Sequence, residues 1–405
     1  MAYAESLAAL LIFLATYLVL AVGRAPGLRV DRTGACIIGA GLMVGFDVLT
    51  LEESYRAVNH DTILLLFGFM IVVANLRLSG FFSLVAEWVV EHAHRPLALL
   101  AGIVAVSGVF SAFFVNDTMC LVLTPLVVEI AARLRRNAVP YLLAVAMAAN
   151  VGSVATITGN PQNMMIGSFS GIPYREFIAA LAPVGGVGLL ITAAMIALVY
   201  RSEFFGGASV RLEKRRVRVH RALLWKSLAA AMGMLVFFFA GWPVPKVAFV
   251  AAAFLMITRR IKPQRVYREI DWSLLVMFVG LFIVVAGVEK TSLPGDLFAA
   301  SQRFHLERTW VLSAFAALLS NLVSNVPAVL VFKPFIAHMA DPRRVWLVLA
   351  MATTLAGNLT VLGSVANLIV VQQAKPDVRI NFWEYLRVGA PLTVATIAFG
   401  VFWLG

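Results

Sequence analysis

Residues 150–163 read Asn-Val-Gly-Ser-Val-Ala-Thr-Ile-Thr-Gly-Asn-Pro-Gln-Asn, a polar run set inside the apolar stretch 141–169. Non-helical backbone at membrane depth survives only where protein or a water-filled cavity satisfies it. Gly159 and Pro161 allow a helix to unwind there. Unwinding aims half-helix ends at one point: N-terminal ends favour an anion, and freed carbonyls hold a cation. Three further segments carry the same signature: 115–118 (Val-Asn-Asp-Thr), 320–327 (Ser-Asn-Leu-Val-Ser-Asn-Val-Pro) and 357–367, with Gly357 and Gly363 as its hinges. Asn, Ser and Thr replace a solute's water without a permanent charge, as a site that must also release requires. The alternative role for such residues is to glue helices together.

The rest of the chain supplies the bilayer context. Of 405 residues, 61% are hydrophobic and 13% charged, with a mean hydropathy of +0.89. A soluble domain carries about a quarter charged residues, so the bilayer is the main solvent. Cys36 and Cys120 both sit in apolar runs, which excludes a disulfide framework and a cysteine-rich metal site. The first apolar run, 7–22, lacks a basic leader and a clear cleavage site, so no cleavable signal is expected.

Ten spans are expected: 4–22, 33–46, 62–78, 141–169, 177–200, 222–240, 247–257, 272–288, 345–371 and 383–403. Between the third and fourth of each half lie 96–134 and 309–338, each too long for one span and polar at its centre, as in a re-entrant hairpin. The halves repeat. Ser111 and Asn116 match Ser320 and Asn325 at an offset of 209, and Pro125 matches Pro334 at the same offset. Asn150 matches Asn358 at 208, and Gly159 and Asn163 match Gly363 and Asn367 at 204. Five spans per half force opposite insertion, the inverted repeat of secondary transporters with a site near the midplane. The expected architecture is an all-α polytopic membrane protein of two inverted five-helix repeats, each with a re-entrant hairpin and a broken helix. Its divisions are a first repeat at 1–200, a basic linker at 201–221 and a second repeat at 222–405.

Charge orients the chain. With the N-terminus outside, 24 of the 33 Lys and Arg residues fall inside and 9 outside, in accord with the positive-inside rule. Both termini are then outside, the membrane being the cell inner membrane. The basic tract 211–221 has no interleaved aromatics; it reads as an inside loop touching anionic lipid, not as a nucleic-acid site.

Asp117 is the sharpest single residue, an acid at mid-membrane within a polar break. Intramembrane carboxylates mark ion and proton pathways, because desolvation disfavours the charged form. Capping of the hairpin's second arm is the structural alternative. Glu129 and Lys333, on the second hairpin arms, read as interface residues. His92 and His94 fall on different helix faces, which disfavours a shared metal. Cys120 reads as small apolar packing. No Walker loop, zinc-ligand pair or nucleophile elbow is present, so no enzyme activity and no cofactor are expected. Transport is then driven by an ion gradient, H+ or Na+, or by a separate ATPase subunit.

The segments 111–125 (SAFFVNDTMCLVLTP), 149–167 (ANVGSVATITGNPQNMMIG), 320–330 (SNLVSNVPAVL) and 357–370 (GNLTVLGSVANLIV) resemble the ion transporter superfamily, within it the arsenite permease family of arsenical efflux pumps. The resemblance covers nearly the whole chain. It implies scaffold and transport subdomains, and related divalent anion–sodium symporters imply a homodimer with elevator motion. Carried over position by position, it implies a site lined by Asn116, Asp117, Thr118, Ser324 and Asn325 at the tips. From the broken helices it adds Asn150, Thr156, Asn160, Asn163, Asn358, Thr360, Ser364 and Asn367. Dicarboxylate carriers have Ser-Asn-Thr tips; here they read Asn-Asp-Thr and Ser-Asn-Val. An acid repels a dianion, so a neutral solute such as arsenous acid suits Asp117 better. The leading expectation is proton-coupled efflux of arsenite or antimonite. Sodium- or proton-coupled uptake of citrate or a dicarboxylate, and sodium–proton antiport, are the alternatives, with a channel or scaffold as the contrasting class.

Overall fold

The computed structural model describes residues 2–24, 27–93, 95–205, 219–258, 261–291, 305–336, 339–375 and 377–405. His94, residues 206–218 of the basic linker, Arg259, Arg260 and His338 at the end of the second hairpin lie outside the described residues.

Among those residues the protein is all-helical. The first half comprises α1 (Ala2–Val22), α2 (Arg32–Gly45), α3 (Leu51–Ala57), α4 (His60–Ser79), α5 (Phe81–His92), α6 (Pro96–Phe114), α7 (Asn116–Arg133), α8 (Ala138–Ser153), α9 (Pro161–Ser170), α10 (Tyr174–Val199) and α11 (Arg201–Phe204). The second comprises α12 (Arg221–Phe239), α13 (Val244–Met256), α14 (Pro263–Tyr267), α15 (Trp272–Glu289), α16 (Thr309–Val323), α17 (Asn325–Ile336), α18 (Pro342–Ala356), α19 (Val365–Ala374) and α20 (Phe382–Leu404). Short polar residues fix the boundaries. The side chains of Asp31, Asn59, Asn137, Asp271, Asp341 and Asn381 each accept from a backbone amide in the first turn of the helix that follows.

Seven described helices are long and apolar enough to cross a membrane: α1, α4, α6, α10, α12, α15 and α20. Two more expected spans, 141–169 and 345–371, are each divided into a broken pair, α8–α9 and α18–α19. The last two, α2 and α13, have 14 and 13 residues, short of the about 20 a span needs. They hold equivalent places in the two halves. The first hairpin arm α6 has 19 residues, a full span's length, yet the chain turns back at Val115 and α7 packs against it.

Both hairpins reverse through one residue in the left-handed region, Val115 (φ 67°) and Ser324 (φ 79°). These positions are related by the 209-residue offset. A β-branched residue pays a steric cost there, so the shared geometry is imposed by the surroundings of the tips, not by local preference.

The helices sort into two bodies. In one, α4 packs on α12 and α13, and α2 packs on α1 and α15; in the other, α6 to α10 pack with α16 to α20. Every residue of α8, and α18 from Val345 to Ala356, is buried, so these two helices form the centre of the second body. The first body is built by reciprocal contacts between halves. A Cβ on Gly68 of α4 would lie 2.9 Å from the Ala248 carbonyl of α13, and one on Gly280 of α15 would lie 2.7 Å from the Cys36 carbonyl of α2. Both members of the first pair map onto the second at an offset of 212. Small residues let membrane helices meet backbone to backbone. Gly280→Leu is therefore expected to lower stability by about 2 kcal/mol or more, since backbone cannot yield as a side chain can. Gly41→Leu, on open space, is the neutral control. Thermal unfolding in detergent reads the difference, and equal midpoints would refute the packing account.

Candidate functional site

The two broken helices have the same local design. In each, an extended threonine (Thr156, φ −137°; Thr360, φ −134°) precedes a single 3-10 turn, and a second extended residue (Asn160, Ser364) caps the following half-helix. An asparagine one turn into that half-helix reaches back to pin the loop. Asn163 Nδ2 donates to the carbonyls of Ser153 (3.1 Å) and Thr156 (3.0 Å), and Asn367 Nδ2 to those of Gly357 (2.7 Å) and Thr360 (3.0 Å). The unwound backbone is thus satisfied within the protein, as hydrocarbon surroundings require.

Asn150 joins the halves. Its Nδ2 donates to Asn358 Oδ1 and Asn367 Oδ1, each at 2.9 Å. Its Oδ1 accepts from Asn116 Nδ2 at 3.0 Å and Ser364 Oγ at 3.1 Å. One fully buried amide therefore ties the first hairpin tip and the first broken helix to three residues of the second. Asn358 completes the link by donating to the Met147 carbonyl at 3.2 Å.

The remaining expected residues divide by what their polar atoms already hold. Asn160 caps α9 through the Asn163 amide (2.8 Å), and its Nδ2 donates to Ser153 Oγ (3.0 Å) and Thr354 Oγ1 (3.2 Å). Thr156 donates to the Ala112 carbonyl of α6. Asn325 stays within its own hairpin, accepting from Ser320 Oγ at 2.8 Å, and does not join Asn358 as Asn116 joins Asn150. Asp117, Thr118, Ser324 and Thr360 are half-buried, and among the described residues their side chains make no hydrogen bond. Two buried amide oxygens, Asn116 Oδ1 and Asn163 Oδ1, also lack a partner. These six residues carry the polar groups of the expected set that have no partner among the described residues.

The capping role open to Asp117 is not what the structure has. Val115 occupies the N-cap of α7, with no side-chain cap bond, and Asp117 follows one residue inside the helix. Lys333 bonds Glu289 of α15, Glu129 borders a surface cavity, and His92 Nδ1 contacts the Trp88 carbonyl one turn back. Cys120 is buried in apolar packing. No Lys or Arg donates into the Asn150 network among the described residues.

Sequence reasoning missed Ser153, Thr354, Gln162 and Tyr385 as site residues. Gln162 Nε2 and Asn160 share the Thr354 hydroxyl, and the buried Tyr385 hydroxyl lies beside Asn367. Ser153 and Gln162 lay inside the quoted run. Thr354 had only the Thr353–Thr354 pair within an apolar span as a signal, and Tyr385 had none.

Comparison with known proteins gives the frame. Residues 15–356 match a family model described as "Citrate transporter". The chain is 31% identical over 449 residues to the silicon efflux transporter LSI3 of Oryza sativa subsp. japonica, covering 93% of each chain. It is 30% identical over 420 residues to a 46 kDa membrane protein of Mycobacterium leprae, covering 97% of this chain and 96% of that one. A Dictyostelium discoideum transporter carrying the name arsB is 23% identical, with 92% of this chain and 87% of that one covered. Among solved structures, the YdaH transporter of Alcanivorax borkumensis superimposes with a TM-score of 0.59 at 14% identity, covering 100% of this chain and 97% of that chain.

Proposed function

Because this chain belongs to the citrate transporter family of the ion transporter superfamily, we propose that it exports an uncharged, hydroxylated oxyacid, arsenous or antimonous acid, in exchange for protons. The membrane is the cell inner membrane, with both termini outside and the basic loops inside. One observation carries the reading: the unpartnered groups of the site are amide oxygens, hydroxyls and one carboxylate, and no Lys or Arg donates into the network among the described residues. A polyhydroxylated neutral acid can donate to Asn116 Oδ1 and Asn163 Oδ1 and exchange hydrogen bonds with Thr118, Ser324 and Thr360. A citrate trianion beside Asp117 would meet repulsion, and among the described residues no Lys or Arg donates into the network to offset it.

The named efflux activity of the rice relative, with silicon as its cargo, supports a neutral oxyacid as the solute class. Asp117 supplies the coupling: protonated and neutral when its side faces the proton source, ionised after release. Elevator motion of the second body within a homodimer, without an ATPase subunit, completes the proposal.

Four half-helix N-termini, those of α7, α9, α17 and α19, favour a second reading, symport of citrate or another dicarboxylate, since such ends attract carboxylates. Everted vesicles separate the two. Radiolabelled arsenite is expected to accumulate only with a proton gradient, and citrate not to respond to sodium. Sodium-stimulated citrate uptake without arsenite accumulation would replace the first reading by the second.

A further inference from the structure

Inverted repeats place the second hairpin arm of each half beside the broken helix of the other: α7 lies against α19, and α17 against α9. The two pairs end differently. Beyond the site, the α7–α19 pair borders a cavity of about 760 Å³ lined by Pro125, Val128, Glu129, Arg136, Gln373 and Arg379. The α17–α9 pair is instead bonded to the first body. Lys333 Nζ lies 2.9 Å from each carboxylate oxygen of Glu289 and 5.0 Å from the centre of the Phe169 ring. Phe169 in turn stacks on Trp346 at 6.1 Å and meets Phe282 edge-on at 5.9 Å.

The repeat offsets show that this difference is written in the residues. An offset of 209 carries Thr124 onto Lys333, and one of 204 carries Gln373 onto Phe169. Thr124 bonds only its own helix, at the Cys120 carbonyl (2.6 Å), and Gln373 is an exposed wall of the cavity. Glu289 and Phe282 belong to α15 of the first body, while Lys333 and Phe169 belong to the second. Nearer the tip, Tyr17 of α1 donates to the Pro327 carbonyl at 3.1 Å across the same boundary.

We propose that Lys333 is a positioning residue of the transport cycle: with Glu289 and Phe169 it latches the second hairpin to the first body, closing that face while the face bearing Arg136 and Arg379 stands open. A cation held by a carboxylate and an aromatic face at once suits a latch, because half-buried placement keeps it breakable. The inference does not depend on which solute is carried.

The test reads the state without transport. Cys36 and Cys120 are buried and give a silent background for Gln373→Cys in proteoliposomes treated with a membrane-impermeant maleimide. Gln373→Cys is expected to label rapidly from the face bearing Arg136. Adding Lys333→Ala should slow that labelling about threefold or more, by releasing the latch and populating the opposite state. The exchange Lys333→Glu with Glu289→Lys should recover part of the rate, because it restores the ion pair without the cation on Phe169, and a purely structural loss would recover none. Lys333→Met and Glu289→Gln serve if the alanine variant does not elute as a monodisperse protein. Labelling unchanged by loss of either charge, or not recovered by the exchange, would overturn the proposal.

Discussion

Asn150→Leu is expected to abolish transport and to lower the midpoint of thermal unfolding together. The Asn150 amide uses its full capacity near the ring of partners: two donations and two acceptances, all between 2.9 and 3.1 Å. Leucine fills a similar volume but strands groups on Asn116, Asn358, Ser364 and Asn367, all buried. A stranded buried polar group costs about 1–3 kcal/mol in water-soluble proteins, and interhelical bonds in membranes average about 0.6 kcal/mol. Four bonds at the lower figure already give ~2.4 kcal/mol. A loss of about 3 kcal/mol lowers the population of the assembled cluster roughly a hundredfold. The transport loss should exceed the stability loss, because the helices remain packed by α8 and α18 while the tip and breaks lose their common anchor. Radiolabelled uptake and unfolding by fluorescence-detected size exclusion measure the two. Transport within about threefold of wild type would mean that the amide hub is dispensable, and the site account would fail with it.

Asp117→Asn separates coupling from folding. The substitution is isosteric, and Asp117 makes no hydrogen bond among the described residues, so stability should change little. One proton moving down a gradient of one pH unit supplies about 1.4 kcal/mol, a tenfold concentration ratio. If Asp117 carries that proton, Asp117→Asn should reduce the accumulation ratio from about tenfold per pH unit to about one, while exchange of labelled for unlabelled solute persists. Arsenite accumulation in vesicles across a series of imposed gradients measures the slope. A slope like that of the wild type would assign the proton elsewhere.

Much of this architecture was legible beforehand because the bilayer leaves few options. Backbone in hydrocarbon must be helical or otherwise satisfied, so each polar run within an apolar stretch announces a break. Residues 150–163 and 357–367 do break, at the same internal positions, and both hairpins turn at residues related by the 209 offset. The repeat was readable because the same backbone problem was solved twice with Gly, Asn and Pro at matching positions. The division of labour within the polar set was not readable. Asn160, Asn163 and Asn367 spend their amides holding the loops, Asn150 holds the halves together, and Asp117 is no helix cap. An asparagine that binds backbone and one that faces a solute look alike in a sequence, since both need a neutral donor and acceptor at mid-depth.

The sequence by itself determined a helical membrane protein, because composition selects the solvent, and showed a repeat whose two copies turn and break at matching positions. Only the tertiary structure decided that Asn116, Asn150, Asn358, Ser364 and Asn367 meet, and that Lys333 pairs with Glu289 of the first body while its counterpart Thr124 bonds only within its own helix. Pairing across 208 to 217 residues is a property of packing. Two copies of one pattern fix what can be symmetric, and side-chain contacts between bodies choose which half departs from it.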